Sequence, residues 1–115
     1  METIKDPQIA RLLAGIQTIR YLDREVPAQT IVCLLYVASH NPCYKAEMEK
    51  AINISTASGS RNTDWLSVKH RIGKDGMGLI SKSVDPTDPR ARRVILKLTK
   101  KGEMFIQNLK SIIYE

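Results

Sequence analysis

The residues best equipped for chemistry in this chain are Ser55, Thr56, Ser58, Ser60, Arg61 and Asn62, hydrogen-bonding side chains crowded into one short stretch. No acid or base stands among them in a catalytic pattern, so their chemistry is recognition. Arg and Asn make paired contacts to base edges, while Ser and Thr bond bases or phosphates. A second set, Lys82, Arg90, Arg92 and Arg93, flanks a turn rich in Pro and Asp. From Ser60 to Gly102, eleven Lys and Arg stand against four Asp, a balance of +7. Elsewhere seven basic residues face eight acidic ones, so the whole excess of this +6 chain lies on one contiguous piece. A charge so localised makes a field for a polyanion, beside the plainer reading of a solvated basic surface. Nucleic acid is the expected partner.

Other chemistries find little footing. His40 and His70 are 30 positions apart and neither sits in a ligand pattern, so no metal is expected. Gly73, Gly76 and Gly78 lack the Gly-Lys-Ser/Thr ending of a phosphate loop and read as a hinge. No nucleophile elbow or carboxylate pair appears, so neither an enzyme nor a cofactor is expected. Cys33 and Cys43 are too few for a disulfide scaffold. Cys33 lies inside an apolar run and reads as a core residue, and of the two only Cys43 has a cation nearby in sequence, Lys45. An aromatic content of 5% argues against stacking on single strands. No apolar run approaches about 18 residues, and the N-terminus has no secretory pattern, so a cytoplasmic protein with no membrane partner is expected.

The elements that must position these residues follow from caps and periodicity. Asp6-Pro7 starts a helix whose Ile9, Leu12, Leu13, Ile16, Ile19 and Leu22 form one stripe. A second helix, about Ala28 to Ser39, is apolar nearly all round and ends at Asn41-Pro42. Cys43 to Ile52 makes a third, with Asn53 as its C-terminal cap. Ser55 caps a fourth helix running to about His70, pinned by Trp65, Leu66 and Val68. Its first turns have poor helix propensity, and Gly59 alone costs about 1 kcal/mol against Ala. A helix that accepts that cost usually has something to touch. Two strands, Leu79–Val84 and Arg92–Leu98, enclose a turn at Asp85–Ala91. Thr99 caps a last helix carrying Met104, Phe105, Ile106, Leu109, Ile112 and Ile113. The expected fold is mainly α with a small β-hairpin, a winged helix-turn-helix in the order α-α-α-α-β-β-α, as one domain over 1–115.

Ordered pieces of the chain resemble the MarR-type winged helix regulators, especially small phage-encoded ones. They are Pro27-x-Gln29 opening a helix that ends Leu34-Leu35-Tyr36-Val37-Ala38, the Ser/Thr-rich helix with Arg61, and Gly78-Leu79-Ile80. Asp85-Pro86-x-Asp88-x-Arg90 and Leu98-Thr99-x-x-Gly102 complete the set, which covers about two thirds of the chain. The resemblance implies a homodimeric, double-stranded DNA-binding transcription regulator with its fourth helix in the major groove. It places Ser55, Thr56, Ser58, Ser60, Arg61 and Asn62 on bases, Arg90 as the wing arginine, and Asp88 as an orienter of basic side chains. Turn chemistry alone is the plainer role for Asp85 and Asp88. The terminal helices, about 7–23 and 100–114, would form the dimer interface, and a small-molecule effector is a family trait that no polar cluster marks here. The loop before Gly78 and the segment from Asp88 to Leu98 are both longer than the common pattern. Two alternatives stand beside this reading: a winged helix module docking onto a polymerase or similar partner, and a sequence-neutral nucleic-acid binder.

Overall fold

Every helix start predicted from a cap carries that cap in the structure, a computed structural model that describes residues 1–68, 73–88 and 92–115. Asp6 accepts from the amides of Gln8 (3.0 Å) and Ile9 (3.2 Å), and α1 runs Pro7–Leu22. Ser55 accepts from Ser58 N at 3.0 Å and opens α4, Thr56–Leu66. Thr99 accepts from Gly102 N at 3.0 Å and opens α5, Lys100–Tyr114. Asn53 takes the left-handed conformation (φ 57°) that closes α3, Lys45–Ile52. Between them α2 spans Ala28–Ser39 and stops before Asn41-Pro42, a cis peptide.

The sheet is larger than the expected hairpin. Cys43–Tyr44, read from sequence as the start of the third helix, is instead a strand, β1. It pairs with β3, Val94–Leu98, which also pairs with β2, Ile80–Val84, all antiparallel in the order β1-β3-β2. Leu96 and Leu98 point from β3 into a core with Leu34, Val37, Met48, Leu66, Leu79 and Ile80, while Lys97 faces outward. Asn41 Oδ1 accepts from Leu98 N at 2.9 Å, tying the end of α2 to the same strand.

α4 also ends earlier than expected, at Leu66, because Ser67 is extended; Val68 is exposed and pins nothing. Its final carbonyls would be orphans, and the predicted glycine hinge supplies their partners. Met77 N donates to Trp65 O, Leu79 N to Leu66 O, Gly78 N to Ser67 O and Gly76 N to Val68 O, all within 3.0 Å. A Cβ on Gly76 would lie 1.8 Å from Ser67 O, so only glycine permits this approach. The described part of that segment is a docked strap, and the hinge reading is corrected.

The pieces Gly78-Leu79-Ile80 and Leu98-Thr99-x-x-Gly102 prove to be two halves of one joint. Thr99 Oγ1 donates to Gly78 O at 2.6 Å, and Thr99 N donates to Leu79 O at 3.0 Å. A Cβ on Gly102 would meet Leu79 O at 2.0 Å. From this joint α5 leads away to pack along α1, where Ile113 lies so close that a Cβ on Gly15 would meet it at 2.8 Å. The molecule measures 62 × 27 × 27 Å with a radius of gyration of 15.7 Å. A compact domain of this length would have about 13 Å. The chain is elongated.

Candidate nucleic-acid interface

Helical geometry divides α4 into two faces, at about 100° per residue. Thr56, Ala57, Ser60, Arg61 and Asp64 fall on one side, all exposed or half-buried. Gly59, Asn62, Thr63 and Leu66 fall on the other, all buried. The inward face is closely fastened. A Cβ on Gly59 would run into the Glu49 carboxylate of α3, itself in a buried ion pair with Lys45. Lys45 Nζ also donates to Thr56 O at 3.3 Å, so one ammonium holds the turn between the two helices. Removing one partner of such a pair is far costlier than the pair is worth.

Asn62 belongs to this inward face, not to the reading face predicted for it. It is 7% exposed, its Oδ1 accepts from Thr30 Oγ1 (2.6 Å) and its Nδ2 donates to Gln29 Oε1 (2.7 Å) and Ser58 O (2.9 Å). Arg61, one residue before, is exposed, and its guanidinium donates to Ser58 Oγ at 3.0 Å. Ser55 is exposed but its hydroxyl already serves the cap. Thr56 is fully on the outside, Ser58 and Ser60 half so. Ala57, which carries no polar signal in the sequence, shares the outward face.

The wing carries its charges in equally particular ways. Lys82 on β2 is paired with Asp64 of α4 at 2.7 Å, bracing wing against helix. Its side chain is only 25% exposed, which makes it a strut more than a free cation. Arg92 is exposed with a left-handed backbone (φ 47°). Arg93 sits over the Tyr44 ring, 4.4 Å from its centroid, with Asp88 at 3.3 Å. Arg90 lies outside the described residues. Asp85, 4% exposed, accepts from Tyr44 Oη at 2.6 Å and from Thr87 N (2.9 Å) and Oγ1 (2.7 Å). These hydrogen bonds, the tyrosine's first, hold its carboxyl down at about 2. The same bond pushes the Tyr44 phenol up from its ordinary value. Tyr44 is the residue that sequence reasoning missed altogether; nothing local to Cys43-Tyr44-Lys45 announces a partner 41 positions away.

An outward helix face with one arginine, a braced β-hairpin beside it and a third helix packed behind it make a winged helix-turn-helix. Solved structures share it, among them the following three. The DNA-bound structure of reduced AbfR superposes with a TM-score of 0.62 at 17% identity, over 91% of this chain and 68% of that one. A cysteine-to-serine variant of MarR from E. coli, complexed with operator DNA, gives 0.61 at 17% identity over 92% and 74%. The transcriptional regulator Tm0710 from Thermotoga maritima gives 0.68 at 17% identity over 91% and 66%. This chain has the MarR-type winged helix fold. No protein-family model matches its sequence, and no curated protein does either. At such identity the likeness is one of fold, and the side chains of the reading face are this chain's own.

Within that MarR-type frame the two cysteines are internal. Burial pushes the Cys33 thiol up to about 11, with the Glu49 charge adding to it. Cys43 is raised by burial and by Glu47 in the same way. Both therefore remain thiols near neutral pH, opposite to the depressed pKa of a reactive cysteine. Among the described residues no group of three or more His, Cys, Asp or Glu could hold a metal ion, and no helix is long and apolar enough to cross a membrane.

Proposed function

We propose that this protein is a sequence-specific, double-stranded DNA-binding transcription regulator that works as a homodimer. The observation that carries the reading is the division of α4. Its inward face is locked by Asn62, Gly59 and Thr63, and its outward face offers Arg61 among small side chains. Small side chains let a helix backbone sit deep in a major groove, and Arg61 is long enough to reach a guanine edge. The wing's Arg92 is an exposed cation, and the piece from Ser60 to Gly102 that carries it holds the whole excess charge of the chain. Two of the three structures compared above are DNA complexes, one of them with operator DNA.

The elongated shape and the terminal helices support the dimer. α1 leaves Ile9 (60%), Leu12 (49%) and Leu13 (63%) exposed, and α5 leaves Met104 exposed. Leu109, expected from sequence at a dimer seam, is instead 4% exposed and packed against α1 of its own chain. The surface left for a second copy is therefore the α1 row, and a two-fold axis there would use the same patch twice. Such a dimer reads an inverted repeat with half-sites about 10 bp apart. A gel-shift series on the DNA flanking its gene, at two salt concentrations and with sedimentation of the free protein, tests both parts. Binding to one flanking duplex over unrelated DNA, by a dimer, is the expected result. A monomer with no preference among duplexes would refute the reading.

A further inference from the structure

The wing root contains a side-chain cluster that the reading face does not use. Tyr44 ends β1 immediately before α3, and so belongs to the helix-turn-helix by position. Its hydroxyl reaches across to Asp85, where β2 ends and the wing turn begins, at 2.6 Å. Its ring lies under Arg93, which enters β3 from the far side of the same turn. Arg93 in turn pairs with Asp88, and Asp85 N donates to Arg93 O at 2.8 Å. Both strands of the wing are thus held, at their outer ends, by one side chain of a two-residue strand. Arg93, with its side chain 47% exposed, is already engaged by a ring face and a carboxylate of its own chain, an arrangement suited to bracing the wing root.

We propose that Tyr44 is the positioning residue of the wing, and that Arg93 acts through it and not as an independent phosphate contact. Strand β1 then sets the angle of the wing and the start of the helix-turn-helix together. Strand ends held in this way need no further ordering on binding, which lowers its cost. The inference rests on the DNA-binding reading above, and its test separates the two.

Affinity for the flanking duplex is measured by fluorescence anisotropy for the intact protein and for Tyr44→Phe, Tyr44→Leu, Arg93→Ala and the Tyr44→Leu/Arg93→Ala double variant. Residues that act as one unit do not add: each single loss should weaken binding about tenfold, and the double variant about tenfold as well, not hundredfold. Tyr44→Phe keeps the ring beneath Arg93 and should recover part of the loss seen in Tyr44→Leu. A titration of carbon-13-labelled tyrosine followed by NMR supplies a readout that folding alone does not move. The Tyr44 phenol should titrate above its ordinary range in the intact protein and return toward it in Asp85→Asn. Additive losses in the double variant, or full affinity in both Tyr44 variants, would overturn the proposal. An unshifted phenol in the intact protein would overturn it too. If the intact protein binds no duplex, the DNA reading fails, while the phenol titration still decides whether the clip exists.

Discussion

The winged half adds polar joints to its apolar core, whereas the terminal helix pair is joined by apolar contact. Around α4 the joints are polar: Asn62 to Thr30 and Gln29, Trp65 to Asp23, Lys82 to Asp64, and the buried Lys45–Glu49 pair. Where α1 meets α5 the joint is apolar, with Gly15 against Ile113 and Leu109, and Ile19 fully buried. Hydrogen bonds and ion pairs are directional, so they set the rotation of α4 and the angle of the wing. Apolar packing has no direction and is proportional to area, so the same surface can be extended by a second copy. One half is therefore suited to presenting a fixed face, and the other to being covered.

The largest effect should come from breaking the apolar half where it is already exposed. Leu12→Glu with Leu13→Glu leaves the packed side of α1 alone, so the melting temperature of each copy should stay close to that of the parent. Sedimentation should show monomers, and affinity for a two-half-site duplex should fall at least roughly a hundredfold, the usual scale of lost bivalency. A dimer that persists would move the interface elsewhere and undo the contrast between the halves.

The next test sets two neighbours in α4 against each other. Asn62→Ala leaves the fully buried Thr30 hydroxyl without its Asn62 partner and should cost about 2 kcal/mol of stability in a denaturant titration. Arg61→Ala should change stability by no more than about 0.5 kcal/mol. In binding the order reverses, with Arg61→Ala losing roughly 1–3 kcal/mol of specific affinity. If both variants weaken stability alike, α4 does not have the two faces described.

Acid should loosen the polar half first. Asp85 is held at about 2, below the ordinary carboxylate range, so its contribution is complete above that range and disappears as pH falls toward 2. Amide NMR signals of the wing root should therefore respond between about pH 4 and pH 2, the interval separating ordinary and shifted values. Asp85→Asn should remove that step. The smallest effect expected is that of Arg92→Ala, a change of about 0.9 in the slope of log K against log [salt] with base preference kept. An unchanged slope would mean that this side of the wing faces away from DNA.

What was legible in the sequence was local. Asp6, Ser55, Thr99 and Asn53 each act within a few residues of themselves, so their helix ends could be read without any partner. The stripes of α1 and α5, the two long strands and the concentration of charge are likewise properties of the chain alone. Only the tertiary structure decided which side of α4 faces out. The stretch from Ser55 to Asn62 has no large apolar side chain, so no apolar stripe fixed its rotation, and Gln29 and Thr30 claimed Asn62 while Arg61 stayed exposed on the outer face. The same holds for β1, too short for any period, which exists because β3 offers an edge beside Cys43 and Tyr44. Lys82 looked like a free cation until Asp64, 18 positions earlier, was brought within 2.7 Å. A cap needs only its own turn of helix, whereas a pairing across the fold exists only once both partners have been placed.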